Sequence, residues 1–104
     1  MELKRVVVTG LGALTPIGNT KDAYWEGLKN GKSGCAPITY FDTEKFKTKF
    51  ACELKGYDPN DFFDRKEARK LDRFAQYALV SSDEAIADSG LDLEQIGEED
   101  FLFR

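Results

Sequence analysis

Apolar and polar positions alternate in three different ways along this chain, and each way predicts a different element. Val6, Val7 and Val8 are consecutive and β-branched and end at Thr9-Gly10. An apolar run without alternation predicts a strand buried inside a sheet. Gly10, Gly12, Pro16 and Gly18 then make a turn-rich connection. Asn19 or Thr20 is placed to cap the next helix, with Asp22 in its first turn. Tyr24, Trp25 and Leu28 give that helix an apolar face, and Asn30-Gly31 stops it. Gly31-Lys32-Ser33-Gly34 and Pro37 form a loop.

From Glu44 to Leu54 the period becomes two. Phe46, Thr48, Phe50, Cys52 and Leu54 point one way, and Lys45, Lys47, Lys49, Ala51 and Glu53 the other. Lysines on one face predict a half-buried strand near a sheet edge, with Cys52 a small packed side chain. Asp58-Pro59 predicts a capped short turn ending at Phe63. A long helix follows, opened by a capping-box spacing at Asp64-Arg65-Lys66-Glu67. Leu71, Phe74, Ala78 and Ala85 form its apolar stripe, widened by Ala75, Leu79 and Ile86, and Ser89-Gly90 ends it. The small residues Ala75, Ala78, Ser81, Ser82 and Ala85 predict a neighbouring element close against its second half. Gly97 to Arg104 reads as an acidic turn entering another strand, so the expectation is an incomplete domain.

Composition narrows the function. The chain has 104 residues, enough for one domain or a piece of one, with 41% hydrophobic and 33% charged residues. Its formal net charge of -4 argues against nucleic-acid binding by the chain as a whole. Cys35 and Cys52 are too few for a disulfide framework and make no CxxC metal pattern, so reduced thiols are expected. No apolar stretch approaches the ~20 residues that span a bilayer, and the N-terminus is too short for a signal peptide. A soluble, cytoplasmic protein is expected. Histidine is absent, which removes His-based triads and His metal ligands.

The glycine turn invites a nucleotide-binding reading, which its spacing opposes. A dinucleotide fingerprint needs G-x-G-x-x-G opening directly into a helix whose N-terminus holds the pyrophosphate. Gly10 and Gly12 fit, but Thr15 stands at the third glycine position and Pro16 delays the helix. Gly31-Lys32-Ser33 lacks the strand and helix that flank a P-loop.

VVVTGLGALTPIG (6–18) instead resembles the opening of the β-ketoacyl-[acyl-carrier-protein] synthases, condensing enzymes of fatty acid biosynthesis. Lys32-Ser33-Gly34, Phe41-Asp42-Thr43, Lys49-Phe50-Ala51, the stretch from Asp64 to Leu79, Asp83-Glu84-Ala85-Ile86 and Asp88-Ser89-Gly90-Leu91 follow in the family's order and approximate spacing. The resemblance covers about residues 4–93 and is greatest to the bacterial synthase II type. The final eight residues depart from it, where a strand leading into a Gly-Ser-Gly turn would be expected.

The resemblance implies an α/β fold, the N-terminal part of a thiolase-like α-β-α-β-α layering, with residues 1–104 as an incomplete ketosynthase segment that is α+β by itself. It implies an acyltransferase and a homodimer, with no cofactor and no metal. Family members load an acyl group on a cysteine and use two histidines in decarboxylative condensation with malonyl-carrier protein. Those three residues lie beyond position 104 in family members, so no catalytic residue is assigned here and the segment alone is expected to be inactive.

Arg65, Lys66, Arg69, Lys70 and Arg73 oppose Glu67 and Asp72, a net of +3 in a chain whose remainder carries -7. Spacing of four puts Arg65, Arg69 and Arg73 on one helical stripe and Lys66 and Lys70 on the next. Cations in a helix's first turn oppose its dipole. A solvated helical face explains such a stretch without any partner. The resemblance adds that Lys66, Arg69 and Lys70 match residues that dock the acidic acyl carrier protein, with Arg65 and Arg73 as neighbours. Tyr24, Trp25, Phe46 and Phe50 are expected in the core. The alternatives are a non-catalytic carrier-docking module and a nucleotide-binding half-domain.

Overall fold

A computed structural model describes residues 2–95. The elements run helix α1 (Lys21–Lys29), strands β1 (Cys35–Pro37) and β2 (Phe50–Cys52), a 3₁₀ turn (Pro59–Asp61), and helices α2 (Arg65–Lys70) and α3 (Arg73–Ser89). The predicted strand after Gly97 lies outside the described residues.

The punctuation read from the sequence matches four of these boundaries. Thr20, rather than Asn19, caps α1, its hydroxyl accepting from the Ala23 amide at 3.1 Å. Asn30 ends α1, and Gly31 carries the chain away at φ +65°. Asp58 caps the 3₁₀ turn through Asn60 N at 2.9 Å, with Pro59 at its first position. Gly90 ends α3 in the left-handed region at φ +71°.

Tertiary context overrides three other expectations. Val6–Val8 form no ladder among the described residues, and Val6 is 87% exposed. A strand is stabilised by the neighbours that take its amides and cover its faces, and here no described residue supplies them.

The predicted strand from Glu44 to Leu54 shrinks to Phe50–Cys52, paired antiparallel with β1 in the register Cys35↔Cys52, Ala36↔Ala51, Pro37↔Phe50. Upstream, Phe46 N bonds Thr43 O at 2.9 Å and its ring packs edge-on against Phe41, so this part curls into a turn. The faces are also reversed. Ala51 is half-buried, while Phe46, Phe50 and Cys52 are exposed, because the small alanine side of the hairpin lies toward the chain.

The single long helix is broken at Leu71 (φ −107°, ψ 131°) and Asp72 (φ −66°, ψ 157°). Gln76 fixes the break: its Nε2 donates to Ala68 O at 2.9 Å and Leu71 O at 3.2 Å, carbonyls at the end of α2. Neither Asp64 nor Asp72 uses its side chain as a cap, so the expected capping box does not form.

Burial is thin. Among the described residues Val80 and Gln76 are the buried side chains, and Trp25, Leu28 and Phe74 stay exposed. The radius of gyration is 17.9 Å, against about 13 Å for a compact chain of similar length. Among the described residues the main contacts between elements are β1 with β2 and α2 with the 3₁₀ turn. Of the aromatic residues expected in the core, Trp25, Phe46 and Phe50 therefore remain at the surface and Tyr24 is half-buried.

Candidate functional site

The glycine turn lies directly on α3, the close neighbour that the helix's small residues predicted. A Cβ at Gly10 would meet Ala85 O and come within 2.8 Å of Ser89 Cβ; at Gly12 it would meet Ser81 O and reach 2.9 Å from Ala85 N. Only glycine permits this approach of two backbones. Two carboxylates one helical turn apart then fasten the loop. Glu84 accepts from Ala13 N at 2.8 Å through one oxygen and from Lys21 N at 3.1 Å through the other. Asp88 accepts from Leu11 N at 3.0 Å and pairs with Lys21 Nζ at 3.2 Å. The Leu11 bond, then the Lys21 ammonium, hold the Asp88 carboxyl below its ordinary value. Lys21 is raised by its bonds to Asp22 and Asp88.

This geometry explains why the turn is not a phosphate cradle. The amides of Leu11, Ala13 and Lys21 already donate to carboxylates, which would repel an anion. Sequence reading missed Glu84 and Asp88. Their signal was present as an i,i+4 acidic pair interleaved with Ser81, Ala85 and Ser89 on one helix face.

The basic stretch is divided between two helices. Arg65, Lys66, Arg69 and Lys70 lie on α2 and are exposed, while the half-buried Ala68 marks its inner side. Two of these cations sit in the first turn and two in the last, where they favour the dipole. The expected electrostatic cost is therefore partly offset. Arg73 leaves their stripe because the break resets the helix: it opens α3, with its guanidinium 5.6 Å from the Tyr57 ring centre. Among the described residues none of the five cations forms an ion pair.

Tyr57 and Gln76 brace this surface from beneath. The Tyr57 hydroxyl donates to Gln76 Oε1 at 2.7 Å, and its ring stacks on Phe62 and meets Tyr77 edge-on. Burial, opposed by the Arg73 charge, raises the Tyr57 hydroxyl above its ordinary value. Gln76 is 3% exposed, and both ends of its amide are bonded. A buried polar bridge thereby joins α2 to α3. Among the described residues no cluster of His, Cys, Asp and Glu could hold a metal. Among the described residues, too, no helix is long and apolar enough to cross a membrane.

The family description "Beta-ketoacyl synthase, N-terminal domain" matches residues 3–102. The chain belongs to that family. It is 49% identical over 96 residues to a 3-oxoacyl-[acyl-carrier-protein] synthase 2 of Synechocystis sp., covering 92% of this chain and 23% of that one. It is 44% identical over 95 residues to the protein of the same name from Vibrio cholerae, covering 91% and 23%. Among solved structures it matches the ishigamide ketosynthase/chain length factor with a TM-score of 0.78 at 37% identity, over 88% of this chain and 23% of that chain. The expected fold class holds: the chain is the α+β N-terminal part of a thiolase-like ketosynthase. It spans about a quarter of the length of these relatives.

Proposed function

We propose that this chain is the N-terminal portion of a β-ketoacyl-[acyl-carrier-protein] synthase of the synthase II type. The enzyme would be a cytoplasmic homodimer that condenses malonyl-carrier protein with an enzyme-bound acyl thioester in fatty acid biosynthesis. The family match over residues 3–102, joined to 44–49% identity with synthases 2, carries the reading.

In the condensation a cysteine thiolate takes the acyl group as a thioester. Malonyl-carrier protein loses carbon dioxide to give an enolate stabilised by fixed donors, and that carbanion attacks the thioester. These 104 residues contain no histidine, and neither Cys35 nor Cys52 matches the family's nucleophile. Their contribution would be structural and electrostatic. The clamped glycine turn would fix the end of Val6–Val8 for entry into a sheet whose other strands come from the remainder of the enzyme. The exposed cations of α2 support docking of the acidic carrier protein, with Lys66, Arg69 and Lys70 as the principal contacts and Arg65 and Arg73 beside them. Charges at such a rim act mainly on encounter and orientation.

The test is the intact mass and activity of the native protein. A subunit about fourfold longer that converts malonyl- and acyl-carrier protein to β-ketoacyl-carrier protein is expected. A native subunit of this length that binds carrier protein without turnover would favour a docking module. A full-length protein with no condensing activity would overturn the proposal.

A further inference from the structure

Cys35 and Cys52 are direct partners across the β1–β2 pair, and both are exposed. Their ladder position determines what they can do. Ile38 N donates to Lys49 O at 3.0 Å, making 38 and 49 a hydrogen-bonded pair. Antiparallel pairs alternate along the ladder, so Ala36–Ala51 is hydrogen-bonded while Pro37–Phe50 and Cys35–Cys52 are not. Two details agree with this assignment. Pro37 has no amide to donate, and the Cys35 amide turns away to Ser33 Oγ at 3.2 Å. Non-hydrogen-bonded partners bring their Cα atoms to about 4.5 Å, with both side chains on one face. That spacing lies inside the ~4.4–6.8 Å range that a disulfide spans.

We propose that Cys35 and Cys52 form a reversible cross-strand disulfide, a redox clasp at the base of the hairpin. The oxidant is a low-molecular-weight disulfide such as glutathione disulfide. One cysteine thiolate attacks it, forming a mixed disulfide and releasing one glutathione thiolate. The second cysteine thiolate attacks the protein sulfur of that mixed disulfide and releases the second glutathione. The two protein thiols thus lose two protons and two electrons, and glutathione disulfide is reduced to two glutathione thiols. The clasp closes the loop from Ile38 to Lys49, and its exposure makes it readily reducible.

The native protein is incubated with glutathione disulfide, quenched with acid and mapped with trypsin without reduction. Peptides 33–45 and 50–55 should be joined, the joined pair should be lighter by two hydrogen atoms than the sum of the two reduced peptides, and dithiothreitol should separate them. Because the paired thiol is held adjacent, the clasp should exceed the doubly glutathionylated form by roughly tenfold. In urea that excess should vanish, and Cys35→Ser should leave Cys52 as a glutathione adduct. Doubly adducted protein, unmodified thiols, or cross-links only between chains would overturn the proposal.

Discussion

The Lys21 ammonium lies 3.2 Å from an Asp88 oxygen, joining the first residue of α1 to the end of α3 across 67 positions of sequence. Both groups are held in their charged forms, Asp88 first by the Leu11 amide and Lys21 first by Asp22. A depressed carboxyl adds stability above its unfolded value and loses it as pH falls through the folded one. A raised ammonium adds stability below its unfolded value and loses it as pH rises through the folded one. The bridge therefore persists across neutral pH and opens at both extremes. Carboxyl titration by NMR should find Asp88 below ordinary aspartates, and Lys21→Met should move it upward. An Asp88 midpoint unchanged by that substitution would contradict the pairing.

Glu84 holds two amides with one carboxylate, so its removal strands two donors. Glu84→Ala should lower stability by about 1–3 kcal/mol, and Glu84→Gln, which keeps one acceptor, by less. Urea unfolding of the native protein measures both. Equal effects would mean that the one acceptor kept by glutamine contributes nothing, and would contradict the two-amide clamp.

Glycines here serve two separate purposes, and substitution distinguishes them. Gly12→Ala should cost about 1–3 kcal/mol because its methyl would strike the backbone of α3. Gly90 has open space around it and a φ of +71°, so Gly90→Ala should cost about 1 kcal/mol, with asparagine partly restoring the loss. Rescue of position 12 by asparagine would refute the steric account.

Local chemistry was legible and distant partners were not. Thr20, Asp58-Pro59 and Gly90 announce their boundaries because each acts within three residues of itself. The family pattern was legible because many short pieces kept their order. The break at Leu71-Asp72 was hidden, since it depends on Gln76 reaching back to carbonyls of the preceding helix. The face of β2 was misread because alternating lysines set a period without saying which side meets the chain. Val6–Val8 carry a strand's composition, but composition cannot provide the neighbour that makes a strand. For the candidate site, the sequence located the cations of α2; it did not reveal that Arg73 belongs to the next helix and rests on Tyr57.

The docking claim is tested most directly by steady-state kinetics of the native enzyme carrying Lys66→Glu, Arg69→Glu and Lys70→Glu together. Exposed ion pairs contribute about 0.2–1 kcal/mol each, so reversing three should raise KM for carrier-bound substrate roughly tenfold or more at low salt. The difference should shrink as salt screens the charges. The corresponding triple alanine variant, which preserves helix propensity, should show a smaller rise in the same direction. Small thioester mimics should be turned over at an unchanged rate. Equal losses for carrier-bound and small substrates, or no change in either, would contradict docking at α2.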